Sequence, residues 1–193
     1  MRIVYSARYR IDIGPHVFPT QKYPLVHARL IETGVIQPSD VFEPEPASWD
    51  DLALVHTSEY LDKMRDGTMT PDDVAQLELP WSPEMVEGFR LMTGGTIAAA
   101  LLACNAVAPG FSPAIHIGGG LHHAFPNHGE GFCAFNDVAV AAKVLQKRGI
   151  ERIAIVDLDV HHGNGTALIF ESDPRVFTCS MHQQHNYPMW KPH

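Results

Sequence analysis

The sequence predicts an α/β fold in which helices cover both faces of a mainly parallel, doubly wound sheet. Short apolar runs rich in β-branched residues alternate with capped or amphipathic segments of helical length. Strands that alternate with helices in this way pair in parallel, because each helix returns the chain to the same end of the sheet. The 193 residues fit one domain or a large part of one.

The first part of the chain has the weaker pattern. We predict a strand at residues 3–5 and a helix at residues 23–32, which ends just before a glycine. Residues 52–55 are expected to form a short strand, and a second helix is expected to begin at Ser58.

A loop and a long helix are predicted next. Residues 66–83 are rich in Pro, Asp, Thr and Gly, which is typical of a long surface loop. A long helix is predicted over Pro83–Cys104. Gly94 and Gly95 within it indicate either close packing or a break in the helix.

The second half of the chain alternates regularly. A strand at 114–117 leads into three glycines, and a helix over 136–148 begins at a capping asparagine. The apolar strand at 153–156 is nearly continuous, which predicts that both of its faces are covered. A short helix at 166–170 and a strand at Val176–Ser180 follow.

The composition argues against several classes of function. The net charge of −8 leaves no overall basic field that would attract a nucleic acid. We expect no membrane span and a cytoplasmic location, because long apolar runs and a signal-peptide pattern are both absent. The 3 cysteines have no CxxC spacing, which favours a reducing compartment without disulfides.

Three polar clusters follow predicted strands, at residues 118–123, 157–164 and 180–185. Ligands of open α/β sheets bind beyond the carboxyl ends of the strands. We therefore expect the three clusters to converge on one site, and the concentration of histidines in the second half of the chain points to the same region.

Asp157, Asp159 and His161 alternate along an extended segment, so their side chains are expected on one face. A carboxylate and an imidazole placed in this way are suitable ligands for one divalent ion. Asp-x-Asp alone would fit a solvated turn equally well. His162 and Gly163, which follow the buried strand together with His161, favour the metal site.

Two further motifs carry candidate residues. His122 and His123 follow a triple glycine and suit general base and general acid work near neutral pH, although a surface histidine pair is the plainer alternative. The glycine-rich loop 129–133 lacks a phosphate-binding pattern. Phe132 within it either lines a substrate channel or belongs to the core.

Two long runs, GGGLHHAFPNHGEGFCAFNDVAVAA and IAIVDLDVHHGNGTALIF, resemble the histone deacetylase superfamily. Acetoin-utilisation proteins and acetylpolyamine amidohydrolases belong to that superfamily. The resemblance implies an arginase/deacetylase-like fold and zinc-dependent hydrolysis of an acetylated amine to acetate and a free amine. The implied substrates are acetylated lysine, an acetylated polyamine or a small acetyl amide.

The resemblance also implies residue roles around a Zn²⁺ cofactor. Asp159 and His161 match two of the family's three zinc ligands. His122 and His123 match its tandem histidines at the reacting water and amide. Asp157 matches the carboxylate that orients His122.

Substrate contacts follow from the same resemblance. Gly131 matches the residue whose carbonyl receives the substrate amide, and Phe132 and Tyr187 match the two aromatic walls of the acyl-lysine tunnel. Asn164 stands where class I enzymes have an aspartate beside His123. An amide carries no charge, so His123 should be protonated less easily. Asn164 and Tyr187 together are more like class II, class IV and bacterial members.

The resemblance further implies structural K⁺ at two sites on the backbone near the predicted strand ends. The inner site matches Asp157, Asp159, His161, Ser180 and Met181, and the outer site matches Phe170, Asp173 and Val176.

The family's third zinc ligand, an aspartate, and its transition-state tyrosine have no match in this sequence. We therefore expect residues 1–193 to be the N-terminal portion of a single deacetylase catalytic domain, incomplete at its C-terminus. Two alternatives stay open. One is an inactive acyl-lysine-binding chain or half of a split enzyme; the other is an arginase-type ureohydrolase. A homo-oligomer is also possible.

Overall fold

A computed structural model describes residues 2–104 and 113–192 of the chain. These residues form five strands and seven α-helices, and four of the helices follow one another between the second and third strands. The strands are β1 (Arg2–Val4), β2 (Val41–Phe42), β3 (Ala114–His116), β4 (Ile153–Asp157) and β5 (Val176–Ser180). The helices are α1 (Lys22–Glu32), α2 (Trp49–Leu52), α3 (Ser58–Asp66), α4 (Pro71–Leu77), α5 (Pro83–Cys104), α6 (Asp137–Lys147) and α7 (Asn164–Phe170).

All strand pairs in the described residues are parallel, as the sequence predicted. β1 lies between β2 and β3, and β4 pairs with β5 over its full length, from Ile153 opposite Val176 to Asp157 opposite Ser180. Within the described ranges these are two separate hydrogen-bonded sheets. One of the three polar clusters follows the carboxyl end of each of the strands β3, β4 and β5.

The long helix α5 passes through the core without a break. Its glycines permit close packing: a Cβ on Gly94 would lie 1.9 Å from the carbonyl oxygen of Glu45, and one on Gly95 would lie 2.2 Å from Nε2 of His116. Phe89 and Met92 on the same helix are fully buried. The structure therefore selects the first of the two alternatives that the glycine pair left open.

The predicted strand at residues 52–55 is wrong. Leu52 is the last residue of α2, and a turn follows it. Ser48 caps this helix by accepting a hydrogen bond from the Asp51 backbone N–H, and Asp50 adds a second carboxylate to the first turn. Capping chemistry at residues 48–51 outweighs the β-branched and apolar character of the residues that follow.

The predicted loop at residues 66–83 contains helix α4. Thr70 and Asp73 form a reciprocal capping box, and Pro71 occupies the first turn, where its missing N–H costs nothing. Leu77 at the end of the helix is fully buried. The residues that indicated a loop are therefore the start signal of a helix. The two-residue strand β2 was not predicted either, because it is too short to show a pattern.

One face of the β4–β5 sheet is open, contrary to the prediction that both faces of β4 are covered. Ile153, Ile155 and Val176 pack against helices α6 and α7. On the opposite face, which we call the open sheet face (Ala154, Val156, Phe177 and Cys179), Val156 is 62% exposed and Phe177 is 65% exposed. No described residues cover this apolar surface.

Cys104, Cys133 and Cys179 are free thiols, and of the three only Cys133 is buried. In the described part of the chain, no helix combines the length and hydropathy that a transmembrane segment needs.

Candidate active site

The ends of β3 and β4 meet at a cavity of about 720 Å³. The loop after β3 contributes His122 and His123, and the segment after β4 contributes Asp159 and His161. The predicted third cluster, residues 180–185, does not line the cavity. Other lining residues include Phe18, Lys22, Tyr23, Glu78, Gly131, Phe132, Cys133 and Tyr187.

His122 is oriented by a direct carboxylate contact. Its Nδ1 donates to Oδ2 of Asp157 at 2.5 Å, and Oδ1 of Asp157 accepts from the Asp159 backbone N–H at 3.0 Å. Burial alone would raise the pKa of the Asp157 carboxyl, but its hydrogen bonds, with that from His122 foremost, hold the pKa below its usual value. Nε2 of His122 is left free, 3.9 Å from Oδ1 of Asp159.

His123 is oriented by an amide. Its Nδ1 donates to Oδ1 of Asn164 at 2.7 Å, and both side chains are buried. Burial, reinforced by the neighbouring His122, lowers the pKa of His123 to about 4. The sequence predicted this direction from the uncharged amide; the structure identifies burial as the main cause. His123 is therefore neutral near pH 7.

Two consecutive residues at the start of α6 hold the tandem-histidine loop, and sequence analysis assigned neither this role. The Asn136 side chain caps α6 and donates to the carbonyl of Ala124 at 3.1 Å. Asp137 is fully buried and accepts from the backbone N–H groups of Gly120 at 3.0 Å and Leu121 at 2.6 Å. A buried carboxylate with several donors is a strong positional restraint.

Gly131 and Phe132 form a strained turn beside His123. Their φ angles are 55° and 67°, in the left-handed region. The backbone N–H of Phe132 donates to the carbonyl of Leu77 at 3.1 Å, which fixes the turn against the end of α4. The Phe132 ring lines the cavity and also packs against the core, so the two interpretations of this residue are compatible.

Replacing Gly131 with Ala is expected to destabilise the protein more than the same change at Gly34. Both glycines have positive φ, which costs an Ala side chain about 1 kcal/mol. A Cβ at Gly34 meets nothing within 4 Å, whereas one at Gly131 would lie 2.8 Å from the Tyr187 hydroxyl and 2.9 Å from Cδ2 of His123. We expect the crowding to cost roughly 1 kcal/mol more, measured by urea denaturation. Equal losses in the two variants would show that the cavity wall yields freely.

Asp159 and His161 fit the beginning of a zinc site. Oδ1 of Asp159 and Nδ1 of His161 lie 3.0 Å apart at the cavity. Two ligands of one tetrahedral zinc, each about 2.0–2.1 Å from the metal, are separated by roughly 3.3 Å. No group of three or more His, Cys, Asp or Glu side chains in the described ranges is arranged to hold a metal. These two side chains could hold a metal only as a pair.

Backbone hydrogen bonds join some of the residues predicted to hold potassium. The carbonyl of Asp157 accepts from the Met181 backbone N–H at 2.9 Å, which ties the two inner-site segments together. At the outer positions, the carbonyl of Asp173 accepts from Val176 N–H at 3.0 Å. The Asp173 carboxylate is held by Arg175 and Lys143, and these hydrogen bonds lower its pKa.

Glu130, like Asp137, was given no role from the sequence. Its Oε1 accepts from Nδ2 of Asn164 at 2.8 Å and from the Tyr187 hydroxyl at 2.9 Å. Burial, followed by this hydrogen bond to a carboxylate, raises the pKa of the Tyr187 phenol. The Tyr187 ring stands edge-on to His123, with centroids 4.9 Å apart. Glu130 thus connects the aromatic wall of the cavity with the histidine pair.

Comparison with known proteins identifies the family to which this chain belongs. A model of the histone deacetylase domain matches residues 16–192. The chain belongs to the histone deacetylase family. This confirms the resemblance that the two long motifs indicated.

Similar proteins of this family include both sequences and solved structures. An uncharacterized protein of Picosynechococcus is 44% identical, with the match covering 98% of this chain and 62% of the relative. The acetoin utilization protein AcuC of Bacillus subtilis is 32% identical, covering 95% of this chain and 49% of the relative. The present chain therefore spans about half to three fifths of the length of these relatives.

Solved structures confirm the predicted fold class. A histone deacetylase homologue complexed with SAHA has a TM-score of 0.80 and 26% identity, covering 98% of this chain and 53% of that structure. A histone deacetylase homologue from Aquifex aeolicus has a TM-score of 0.78 and 26% identity, covering 97% of this chain and 52% of that structure.

Proposed function

We propose that this chain contributes the tandem histidines and two metal ligands to an active site that hydrolyses an acetylated amine. The products are acetate and a free amine. One observation carries the proposal: His122, hydrogen-bonded to Asp157, faces the same cavity as the Asp159–His161 pair. A base and a metal-ligand pair in one cavity are the components of metal-assisted hydrolysis.

His122 is the general base in this proposal. The hydrogen bond from its Nδ1 to Asp157 fixes the tautomer, so Nε2 has a free lone pair for a proton from water. The negative charge of Asp157 also stabilises the imidazolium that forms. A zinc ion held by Asp159 and His161 would polarise the substrate carbonyl and lower the pKa of the attacking water towards about 7.

His123 stays neutral at the other side of the reacting group. Its buried ring, bonded through Nδ1 to Asn164, presents Nε2 to the cavity. There it positions the water or substrate amide through a hydrogen bond. The proton taken up by His122 is then available for the departing amine, so no covalent intermediate with the protein is needed.

Aromatic side chains and one backbone turn define the substrate position. Phe132 and Tyr187 line the cavity beside Gly131, whose carbonyl is proposed to accept the substrate amide N–H. Acetylated lysine, an acetylated polyamine and a small acetyl amide all present a slender chain ending in an acetyl group. That a solved relative is complexed with SAHA supports ligand binding by this fold. Potassium at the backbone carbonyls near Asp157 remains part of the proposal.

The proposed site needs more polypeptide than these residues. Catalytic zinc sites normally have three protein ligands, and the described residues supply two. The open sheet face presents apolar side chains such as Val156 and Phe177 to solvent. We infer that the rest of a deacetylase domain covers this face and brings the third ligand and a group that stabilises the oxyanion.

By themselves, the 193 residues are expected to retain zinc weakly and to release negligible acetate from an acetyl-lysine peptide. Zinc per chain after gel filtration, measured by mass spectrometry of the metal, checks the first part. His161→Gln should lower the remaining zinc at least tenfold because it removes one of two ligands, whereas His185→Gln, a change at an exposed histidine, should not. Full occupancy with rapid turnover would contradict the two-ligand account.

Two other functions make different predictions. An arginase-type ureohydrolase would use two manganese ions held by more carboxylates and would hydrolyse guanidino substrates. An acyl-lysine-binding chain would bind acetylated peptide tightly without turnover, even with the rest of the domain present. The paired His122 and His123, each with a side-chain acceptor on Nδ1, favour the deacetylase.

A further inference from the structure

We propose that Glu130 is a positioning residue that sets the tautomer of His123 through the side-chain amide of Asn164. The proposal rests on the role of His123 in the proposed function. It starts from a continuous set of hydrogen bonds. Nδ1 of His123 donates to Oδ1 of Asn164 at 2.7 Å, and Nδ2 of Asn164 donates to Oε1 of Glu130 at 2.8 Å.

The chemistry of an amide makes this arrangement directional. A carboxylate only accepts hydrogen bonds, so Glu130 requires the NH₂ end of Asn164 to face it. The oxygen of Asn164 must then face His123, and His123 must carry its proton on Nδ1. Nε2 of His123 is consequently an acceptor where the ring meets the cavity.

Without a carboxylate at position 130, the amide of Asn164 has two nearly equivalent orientations. A rotation of 180° would turn NH₂ towards His123, whose Nδ1 would then accept, and the proton would move to Nε2. Nε2 would then point a donor into the cavity instead of a lone pair. The carboxylate of Glu130, which can only accept hydrogen bonds, therefore determines whether Nε2 of His123 is an acceptor or a donor.

The surroundings of Glu130 hold its carboxylate in place. The Tyr187 hydroxyl donates to the same Oε1 at 2.9 Å, and Nε2 of His128 lies 3.5 Å from Oε2. The Glu130 side chain is 19% exposed, and Asn164 is almost completely buried. Because the Asn164 amide is shielded from water, water is a poor substitute for the missing acceptor.

The two adjacent histidines are thus held differently. His122 contacts its carboxylate, Asp157, directly, whereas His123 is separated from the Glu130 carboxylate by one neutral amide. The direct contact places a full charge next to His122. The indirect contact through Asn164 fixes the orientation of the His123 ring, while the Glu130 carboxylate does not contact the ring.

The test is nitrogen NMR of the full chain labelled with ¹⁵N-histidine, which separates protonated from unprotonated ring nitrogens. We expect wild-type His123 to be a single Nδ1–H tautomer near pH 7. In Glu130→Gln, which preserves the shape but can also donate, the Nε2–H population should rise severalfold. Glu130→Asp, which keeps an acceptor-only group, should restore much of the Nδ1–H form. Glu171→Gln, at an exposed position, should leave the spectrum unchanged.

The His122 signals serve as an internal reference because Asp157 holds that ring independently. An unchanged His123 tautomer in Glu130→Gln, with intact His122 signals, would overturn the proposal. If Glu130→Gln does not fold, Asn164→Ala tests the same connection, and a retained single Nδ1–H tautomer there would also overturn it. The measurement needs neither zinc nor substrate, so its failure differs from a failure of the proposed deacetylase activity.

Discussion

Lowering the pH from 7 to about 4.5 is expected to destabilise the fold by on the order of 2 kcal/mol through His56 alone. Burial lowers the pKa of His56 from 6.5 to about 4. Between those values the unfolded chain binds a proton at this site and the folded chain does not. The free energy of unfolding therefore falls as the pH falls from 6.5 to about 4.

The hydrogen bonds of His56 also indicate that its buried imidazole is neutral. Its Nδ1 donates to the carbonyl of Phe125 at 3.0 Å, and its Nε2 accepts from the backbone N–H of Asn136 at 3.1 Å. A proton on Nε2 would face that N–H group and break the contact. Burial also lowers the pKa values of His116 and His123 to about 4, so the whole protein should lose more than His56 contributes.

Urea denaturation at pH 7, 5.5 and 4.5 measures this loss. His56→Gln is expected to be less stable than wild type at pH 7 but to lose about 2 kcal/mol less on acidification. His185→Gln removes an exposed histidine and should keep the wild-type pH dependence. An identical pH dependence in wild type and His56→Gln would contradict the assignment of a neutral buried imidazole.

His122→Ala is expected to reduce acetyl-lysine hydrolysis by roughly 10²–10⁴-fold once the chain is combined with the rest of a deacetylase domain. The change removes the base whose Nε2 faces the cavity and leaves the Asp157 carboxylate without its 2.5 Å hydrogen bond. The loss should appear in kcat, because the proton transfer belongs to the transition state. His185→Ala is the matched control and should retain full activity. Retained activity in His122→Ala would assign the base to another residue.

Sequence periodicity predicted only part of the candidate site. Alternation along an extended segment predicted that Asp157, Asp159 and His161 share one face. Asp159 and His161 line one cavity, but Asp157 does not line it, because β4 ends at Asp157 and the chain bends at residues 159–161. Regular strand and helix patterns predicted β4, α6 and β5 closely. These features depend on neighbours in sequence, which is why single-sequence patterns contain them.

Features that depend on tertiary contact were not predictable in this way. Glu130 and Asp137 accept hydrogen bonds from Asn164 and Leu121, which lie 34 and 16 positions away in sequence. No local sequence pattern predicts partners at such distances. Helix α4 was missed because Thr70 and Pro71 suit loops and helix starts alike. The open face of β4 was missed because an apolar run indicates only that a strand is favoured in a buried position. It does not indicate which residues cover the strand.

Acetate release from an acetyl-lysine peptide tests the central claim most directly. Acetate release is measured for the chain alone and for the chain combined with the C-terminal part of the Picosynechococcus relative. That relative is 44% identical to this chain over the region that the two share. We expect zinc-dependent turnover only in the combined protein. A stable complex that holds zinc but releases no acetate, or that hydrolyses guanidino substrates with manganese instead, would contradict the account.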